Sequence, residues 1–229
     1  MHKGLDGTMP VRAAVTGRRS VRGFLPEPVP DAVLRQVLED AARAPSATNS
    51  QPWFVSVVTG AARDRLSKAV IAAAVASETS QEYDYEPQKW WEPYVTRRRK
   101  IGFDLYGLVG VKRDDMAARQ RQALKNFEYF GAPVGLFFFT ERAQKLGAFL
   151  DTSLYMQNVM VLARAHGLET CPQAAWLHYG QTVRRELGIG EELMLISGMS
   201  LGYEDKAAPA NRLTTERASL DTFVRFHNE

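Results

Sequence analysis

The sequence has few of the residues on which covalent cross-links and metal centres depend. Of its 229 residues one is a cysteine, Cys171, so the chain cannot form an internal disulfide or a cysteine-based zinc cluster. A single cysteine also fits a reducing compartment. The four histidines do not have the spacing of a metal site, so we expect no bound metal; they are His2, His166, His178 and His227.

Long apolar runs and several familiar motifs are also missing. No run approaches the roughly 18 apolar residues of a membrane-spanning helix, and residues 1–20 contain no apolar core of a signal peptide. We therefore expect a cytoplasmic protein with no membrane partner. The GxGxxG, Walker A and HExxH motifs are all absent from the chain.

The charge balance excludes a strongly basic protein. Lysine and arginine number 29 against 26 acidic residues, a net charge of +3, which does not indicate a nucleic-acid partner. The densest basic run, Arg97 to Lys100, lies among polar residues and is interpreted as a solvated helix face. A hydrophobic share of 45% is typical of globular proteins, and without a visible linker we predict one α+β domain over residues 1–229.

Hydrophobic periodicity and turn residues predict the order of the elements. Asp31 is the expected N-cap of a helix that Pro45 ends, and Gly167 is the expected cap of a helix that is apolar nearly all round and hence buried. The predicted strands are Trp53–Val58, Val134–Phe139 and Leu193–Met199, and the predicted helical stretches are Val11–Thr16, the helix after Asp31, much of Ala61–Phe130, and Phe149–His166.

A segment at about residues 80–110 combines aromatic residues with helix breakers. The stretches from Tyr83 to Pro87 and from Trp90 to Tyr94 are both of this kind. Such a segment is typical of a lid or of an excursion that a partner covers.

One pattern matches the nucleophile elbow of serine hydrolases. Gly198 to Gly202 reads GxSxG after a predicted strand, and acidic residues and His227 follow Ser200. The elbow requires a helix directly after the serine, and the residues from Tyr203 to Pro209 have no apolar stripe. Small residues in a closely packed buried strand are therefore the favoured interpretation.

Three further segments carry side chains suited to a ligand. In an extended chain Arg18, Ser20 and Arg22 lie on one face, where two guanidinium groups and a hydroxyl can receive a phosphate. The loop from Pro45 to Pro52 offers hydroxyl and amide groups to a flat heterocycle, and the run from Pro172 to Ala175 lets backbone N–H groups approach one. Each segment alone is equally consistent with an ordinary surface connection.

Together these segments resemble the FMN-dependent nitroreductase family, over nearly the whole chain from about Val11 to Phe223. The blocks that carry the resemblance are Arg18–Arg22, Pro45–Trp53, Asn126–Val134, Gly167–Ala175, and Gly202-Tyr203 with Arg217. The resemblance implies an intertwined homodimer with a nitroreductase-like fold, a central mixed or antiparallel sheet flanked by helices, and two FMN sites at the subunit interface.

The resemblance also implies which positions hold FMN. By this resemblance, the FMN phosphate, ribityl chain and pyrimidine edge are bound by Arg18, Ser20, Arg22 and Arg217. Arg19 and Val21 complete the same motif. The partner subunit contributes Pro45, Ser46, Ala47 and Asn49. Pro172, Gln173 and Ala174 are expected to pass along the dimethylbenzene and N5 side of the flavin, with the Ala174 backbone N–H nearest N5.

The implied activity is two-electron, ping-pong reduction of a small aromatic acceptor, a nitroaromatic or a quinone, with NADH or NADPH as reductant. No protein nucleophile is needed, because the chemistry takes place on the cofactor. Two interpretations are open for the aromatic residues of the lid, which either form a wall for the acceptor or pack at a dimer interface. The candidates for the wall are Trp91, Tyr94, Phe103 and Tyr106.

Two alternatives stay open. One is a reductive dehalogenase resembling iodotyrosine deiodinase, in which Glu82, Tyr85 and Lys89 are the right residue types to clamp an amino acid. The other is a flavin-binding module without turnover.

Overall fold

A computed structural model describes residues 9–228, so His2 lies outside the described residues. Seven α-helices and four β-strands occur within these residues. The order is α1 (Val11–Gly17), α2 (Asp31–Ala41), β1 (Phe54–Thr59), α3 (Gly60–Val75), α4 (Tyr94–Leu108), α5 (Met116–Leu124), β2 (Val134–Glu141), α6 (Lys145–Ala165), β3 (Glu169–Gln173), α7 (Gly180–Leu187) and β4 (Leu193–Gly202).

The four strands form one antiparallel sheet in the order β1-β2-β4-β3. In its register Leu136 lies between Val57 of β1 and Met199 of β4. Strand β2 is central because it has a neighbour on each side, which is why its apolar run extends over both faces. The predicted α+β class and the central position of β2 are confirmed.

Alternation along β2 divides the core into two layers, one on each face of the sheet. Leu136 and Phe138 face α2 and α6, whereas Phe137 and Phe139 face α3 and α7. On the second face Trp176 is fully buried, with its ring centroid 4.9 Å from that of Phe137. The helices thus cover both faces of the sheet and leave its edges to the functional segments.

Helix α2 differs from the prediction at its start. Pro30 occupies the N-cap position, and Asp31 is the first helical residue rather than the cap. The Asp31 carboxylate instead accepts a hydrogen bond from Arg35 Nε at 2.6 Å, while its negative charge complements the helix N-terminus. The helix ends at Ala41, before Pro45, and its apolar residues pack against α6.

Strand β3 and helix α7 are elements that the sequence analysis missed. Pro172 lies within β3 although proline donates no ladder hydrogen bond. Strand β3 lies at the edge of the sheet and pairs with β4 alone among the four strands, so the missing donor is tolerated. The segments 18–22 and 172–174 are brought together by this strand.

Helix α6 is not buried all round, in contrast to the prediction. It starts at Lys145, and the side chains of Leu146, Leu150 and Leu154 are 83%, 63% and 38% exposed. A spacing of four residues places them in one stripe along the helix. At the other end Gly167, with φ of +73°, donates its N–H to Arg164 O and caps the helix as predicted.

The segment at about residues 80–110, where an excursion is predicted, is irregular in its first part and helical in its second. No helix or strand is formed between the end of α3 and the start of α4, and α4 follows from Tyr94. The excursion is fixed to the body at Ser80, whose N–H donates to His178 O at 2.7 Å. In residues 9–228 no helix combines the length and apolarity that crossing a membrane would take.

Candidate functional site

A cavity of about 480 Å³ contains most of the basic residues singled out above. We call it the cationic cavity. It is formed by the segment before α2, the start of α4 and the C-terminal segment, with Arg18, Arg19, Ser20, Arg22, Trp90, Tyr94, Arg97, Arg98, Ile101, Lys100, Asp104, Leu213, Thr214, Thr215, Glu216 and Arg217 in its lining.

The segment 18–22 lies beside the edge strand β3. The Val21 N–H donates to Thr170 O at 3.0 Å, and Ser20 forms a parallel bridge with Thr170. Val21 is fully buried in the core, which turns Arg18, Ser20 and Arg22 toward the cavity. The predicted set of Arg18, Ser20 and Arg22 lines the cavity, Arg19 lines it as well, and Val21 acts through packing.

Arg19 reaches the cavity but is already engaged by the protein. Its guanidinium forms a salt bridge with Glu204 and donates to Asn211 O. Asn211 Oδ1 also accepts from the Arg22 N–H at 2.7 Å. Arg19 and Asn211 therefore join the segment 18–22 to the chain that follows β4.

Arg217 enters the same cavity from the C-terminal segment. Burial lowers the pKa of Arg18, and the positive charge of Arg217 lowers it further. Two cations that repel each other in a partly desolvated cleft gain most from an anion placed between them. This donor set fits a phosphate group.

A second cavity, of about 310 Å³, lies over the end of β3 and one face of α6. We call it the neutral cavity, because its lining contains no charged residue. The lining consists of Tyr83, Tyr85, Phe149, Ser153, Met156, Gln157, Met160, Pro172, Ala174, Ile196 and Ser197.

Within the predicted Pro172–Ala174 segment, alternation again decides which side chains face the cavity. Pro172 and Ala174 line it, whereas the Gln173 side chain is buried on the other side. Gln173 Nε2 donates to Asn126 O at 2.7 Å, and its Oε1 accepts from Ser200 Oγ at 2.7 Å. The side-chain amide of Gln173 thus stabilises the sheet through these hydrogen bonds, and only the backbone of Gln173 can contact a ligand in the neutral cavity.

Arg18 connects the two cavities. Its Nη1 lies 4.0 Å from Met160 Sδ, and Met160 lines the neutral cavity. A cleft for an anion therefore adjoins a cleft for an uncharged group. This combination suits a ligand that has a phosphate tail and a planar apolar ring.

The lid candidates for the acceptor do not line the neutral cavity of their own chain. Tyr94 lines the cationic cavity, and Trp91 packs edge-to-face on it with ring centroids 5.4 Å apart. Phe103 is exposed, and Tyr106 lies 5.2 Å from the Arg119 guanidinium. The predicted aromatic wall is therefore not formed by these four residues within one chain.

The aromatic residues of this region that do line the neutral cavity are Tyr83 and Tyr85. The sequence analysis did not select Tyr83 as a site residue. The Tyr83 hydroxyl donates to Ile196 O at 2.8 Å, and its ring meets Phe149 edge-to-face at 5.0 Å. Burial raises the Tyr83 pKa above its ordinary value. Both tyrosines belong to the aromatic stretch from Tyr83 to Pro87, so the sequence pattern that could have identified them as site residues is this stretch.

Glu82 fixes the start of this aromatic stretch. Its carboxylate is 1% exposed and forms salt bridges with both Arg142 and Arg184. The deiodinase-like alternative placed Glu82 in a clamp for an amino acid, together with Tyr85 and Lys89. That assignment is wrong for Glu82, because two arginines already neutralise it away from either cavity.

Ser200 is not a nucleophile. It lies inside β4 with no exposed surface, and its hydroxyl donates to Gln173. The GxSxG match is therefore a buried strand, as the sequence analysis favoured. Its first glycine, Gly198, leaves space for the Trp176 ring, which a Cβ atom would meet.

The loop predicted to act from the partner subunit packs on α6. The Ala47 N–H donates to Asp151 Oδ2 at 3.0 Å, and Ser46 Oγ accepts from the Gln51 N–H at 3.0 Å. Pro45, Ser46, Ala47 and Asn49 line neither cavity of their own chain. Across residues 9–228, His, Cys, Asp and Glu do not gather in any group of three suited to a metal ion.

The fold and the two adjoining cavities define an α+β protein with a site suited to a phosphorylated ligand that has a planar ring. The chain belongs to the nitroreductase family, whose family model matches residues 15–203.

Comparison with known proteins gives more specific likenesses. The chain is 36% identical to a nitrobenzene nitroreductase of Ectopseudomonas oleovorans over 94% of its length and 96% of that protein's. It is 39% identical to a 4-nitrobenzoate reductase of Nocardioides sp. (strain LMS-CY), covering 93% of this chain and 88% of that one. The crystal structure of the FMN and NADPH-dependent nitroreductase NfnB from sphigopyxis sp. strain HMH superposes with a TM-score of 0.94 at 39% identity, over 96% of this chain and 100% of that one.

Proposed function

We propose that this protein is an FMN-dependent NAD(P)H oxidoreductase that reduces nitroaromatic compounds. The observation that carries the proposal is the contact of Arg18 with Met160, which joins an anion-binding cleft to a neutral one. The names of the similar proteins support the same chemistry, since they include FMN and NADPH dependence and reduction of nitrobenzene and 4-nitrobenzoate.

In this proposal Arg18, Ser20 and Arg217 hold the FMN phosphate. Arg22 supplies positive charge at the pyrimidine edge, where it stabilises negative charge that develops during reduction. Pro172 and Ala174, which line the neutral cavity, would lie along the ring, and the Ala174 backbone N–H would be the donor to N5. When bound, the flavin takes up two electrons from the nicotinamide and delivers them to the acceptor.

The neutral cavity defines what the protein offers to the ring and the acceptor. Its tyrosines and methionines exclude water from apolar surface, and Ser153 and Gln157 are polar groups in the lining. An uncharged, aromatic-lined site suits a nitroarene or a quinone. No side chain in it is placed to act as a nucleophile, which agrees with chemistry carried by the cofactor.

We further propose a homodimer whose interface includes the exposed leucines of α6. A row of three exposed leucines on one helix is typical of an association surface. Loop 45–52 packs on the same helix, so an approaching copy can place this loop at the first copy's neutral cavity. Each chain then holds part of the site, and FMN binding stabilises the dimer.

Three measurements test the proposed activity. The purified protein is expected to show a flavin absorption spectrum with one FMN per chain, and anaerobic NADH or NADPH is expected to bleach it. Nitrobenzene is expected to be reduced faster than an iodotyrosine. Bound FMN without oxidation of either nucleotide would favour a binding module, and faster iodotyrosine turnover would favour a dehalogenase.

Light scattering tests the dimer. Leu150→Asp is expected to give a monomer that loses FMN, whereas Leu146→Asp, at the more exposed end of the stripe, is expected to have a smaller effect. A wild-type protein that is monomeric with full FMN would contradict the shared site. We also propose a cytoplasmic location, because the reaction consumes NADH or NADPH; fractionation of cells tests it.

A further inference from the structure

Helix α4 adds positive charge to the cationic cavity beyond what FMN requires. Arg97, Arg98 and Lys100 line the cavity together with Arg18 and Arg217. FMN carries a single phosphate, with a charge of about −2. The run from Arg97 to Lys100 was interpreted as a solvated helix face; its side chains are exposed, but three of the four border the cavity.

The charges on α4 differ in how far the protein neutralises them. Arg98 pairs with Glu86 at 2.9 Å, and Lys100 pairs with Asp104 at 2.7 Å and with Glu216 at 3.5 Å. Arg97 has no carboxylate within 4.0 Å in the described part of the chain, and its guanidinium carbon lies 6.0 Å from the Tyr94 ring centroid. Of the three α4 cations that line the cavity, Arg97 is therefore the one whose charge no described carboxylate neutralises.

Two aromatic side chains stand beside these cations. Trp90 and Tyr94 both line the cavity, and the Arg98 guanidinium carbon lies 5.1 Å from the Trp90 ring centroid. Aromatic faces next to arginine are suited to stacking of a nucleic-acid base. The volume of about 480 Å³ falls in the range of pockets that hold a whole small ligand, so the cavity has room beyond one phosphate.

We propose that α4 binds the 2′-phosphate of NADPH through Arg97, while Trp90 and Tyr94 contact the adenine. This proposal rests on the proposed function. It makes α4 the element that discriminates between NADPH and NADH. NADH has a hydroxyl in place of this phosphate and leaves Arg97 without an anion. The protein therefore favours NADPH.

Binding of two fragments to the FMN-loaded protein tests the proposal without turnover. Calorimetry with 2′,5′-ADP and with 5′-AMP isolates the 2′-phosphate, and wild type is expected to bind 2′,5′-ADP more tightly. Arg97→Ala is expected to weaken 2′,5′-ADP about fivefold, the effect of one solvent-accessible ion pair, and to leave 5′-AMP unchanged. Arg99→Ala is the matched control, because Arg99 is on the same helix but outside the cavity lining, and it is expected to change neither.

Kinetics separate this inference from the proposed function. In Arg97→Ala the KM for NADPH is expected to rise by a similar factor, with the KM for NADH and the FMN content unchanged. Equal binding of both fragments by wild type would overturn the inference, and so would equal loss of NADH and NADPH or a loss of FMN in Arg97→Ala. A protein that oxidises neither nucleotide would refute the proposed function, and the fragment titration would still decide the role of Arg97.

Discussion

Arg18 and Arg217 share one cavity although they lie near opposite ends of the chain. Burial and, after it, the charge of Arg217 lower the pKa of Arg18. Two guanidinium groups that share a partly desolvated cavity repel each other, and a phosphate between them suits this arrangement. An anion placed between the two groups would relieve this repulsion.

Arg217→Ala should therefore affect the loaded and the empty protein in opposite directions. We expect FMN affinity to fall by at least about tenfold, because a charge-assisted hydrogen bond to phosphate is lost. The free energy of unfolding of the FMN-free protein should stay equal or rise, since Arg18 loses a like-charged neighbour. Arg212→Ala, an exposed arginine outside the cavity lining, is the control for both measurements. Unchanged FMN occupancy would contradict the assigned site.

Glu82→Ala should destabilise the protein strongly. It leaves Arg142 and Arg184 without their shared carboxylate, and removing one partner of a buried ion pair costs about 3–5 kcal/mol. Urea unfolding measures this loss. Glu86→Ala removes an exposed pair with Arg98 and should cost no more than about 1 kcal/mol. Equal effects of the two variants would show that the buried cluster does not anchor the lid.

Cys171 should be unreactive in the folded protein. Burial raises its pKa to about 11, and nearby Arg22 and Arg18 only partly oppose this. At pH 8 roughly one thiol in a thousand is then ionised, and the thiolate is the reactive form. Iodoacetamide should label the native protein very slowly and the guanidinium-unfolded protein fully. Stoichiometric labelling of native protein within minutes would contradict this burial.

Ser200→Ala should preserve reductase activity. The variant removes a buried hydrogen bond to Gln173, which we expect to lower the free energy of unfolding by about 1 kcal/mol. A fluorophosphonate probe should label neither the variant nor the wild type, because the hydroxyl has no access to solvent. Labelling of wild type that disappears in Ser200→Ala would revive the hydrolase interpretation.

Several features could be predicted because they depend on local pattern. Arg18 and Arg22 face the cavity while Val21 faces the core, as the two-residue repeat of an extended chain predicts. The apolar run in β2 follows from burial on both faces of the sheet. The resemblance of the motif blocks led to the family directly. That residues 1–229 form one domain, and which residues contact FMN, stay predictions.

Other features could not be predicted because they depend on partners distant in sequence. Pro172 is a strand residue only because β3 lies at the edge of the sheet. The exposed face of α6 has the composition of a buried helix, and the difference lies in which side has a neighbour within the chain. The local sequence predicts neither the edge position of β3 nor the exposed face of α6.

The sequence by itself determined three of the four strands in the described residues, most helices and the chemistry of the basic segment, since backbone geometry and side-chain size act over a few residues. Only the tertiary structure decided which charges meet. It brought Arg217 to Arg18, placed Arg97 on the border of the same cavity, and withdrew Glu82 into a cluster with Arg142 and Arg184. The physical reason is that periodicity shows which face of an element is covered, whereas electrostatic contacts depend on which distant elements cover it.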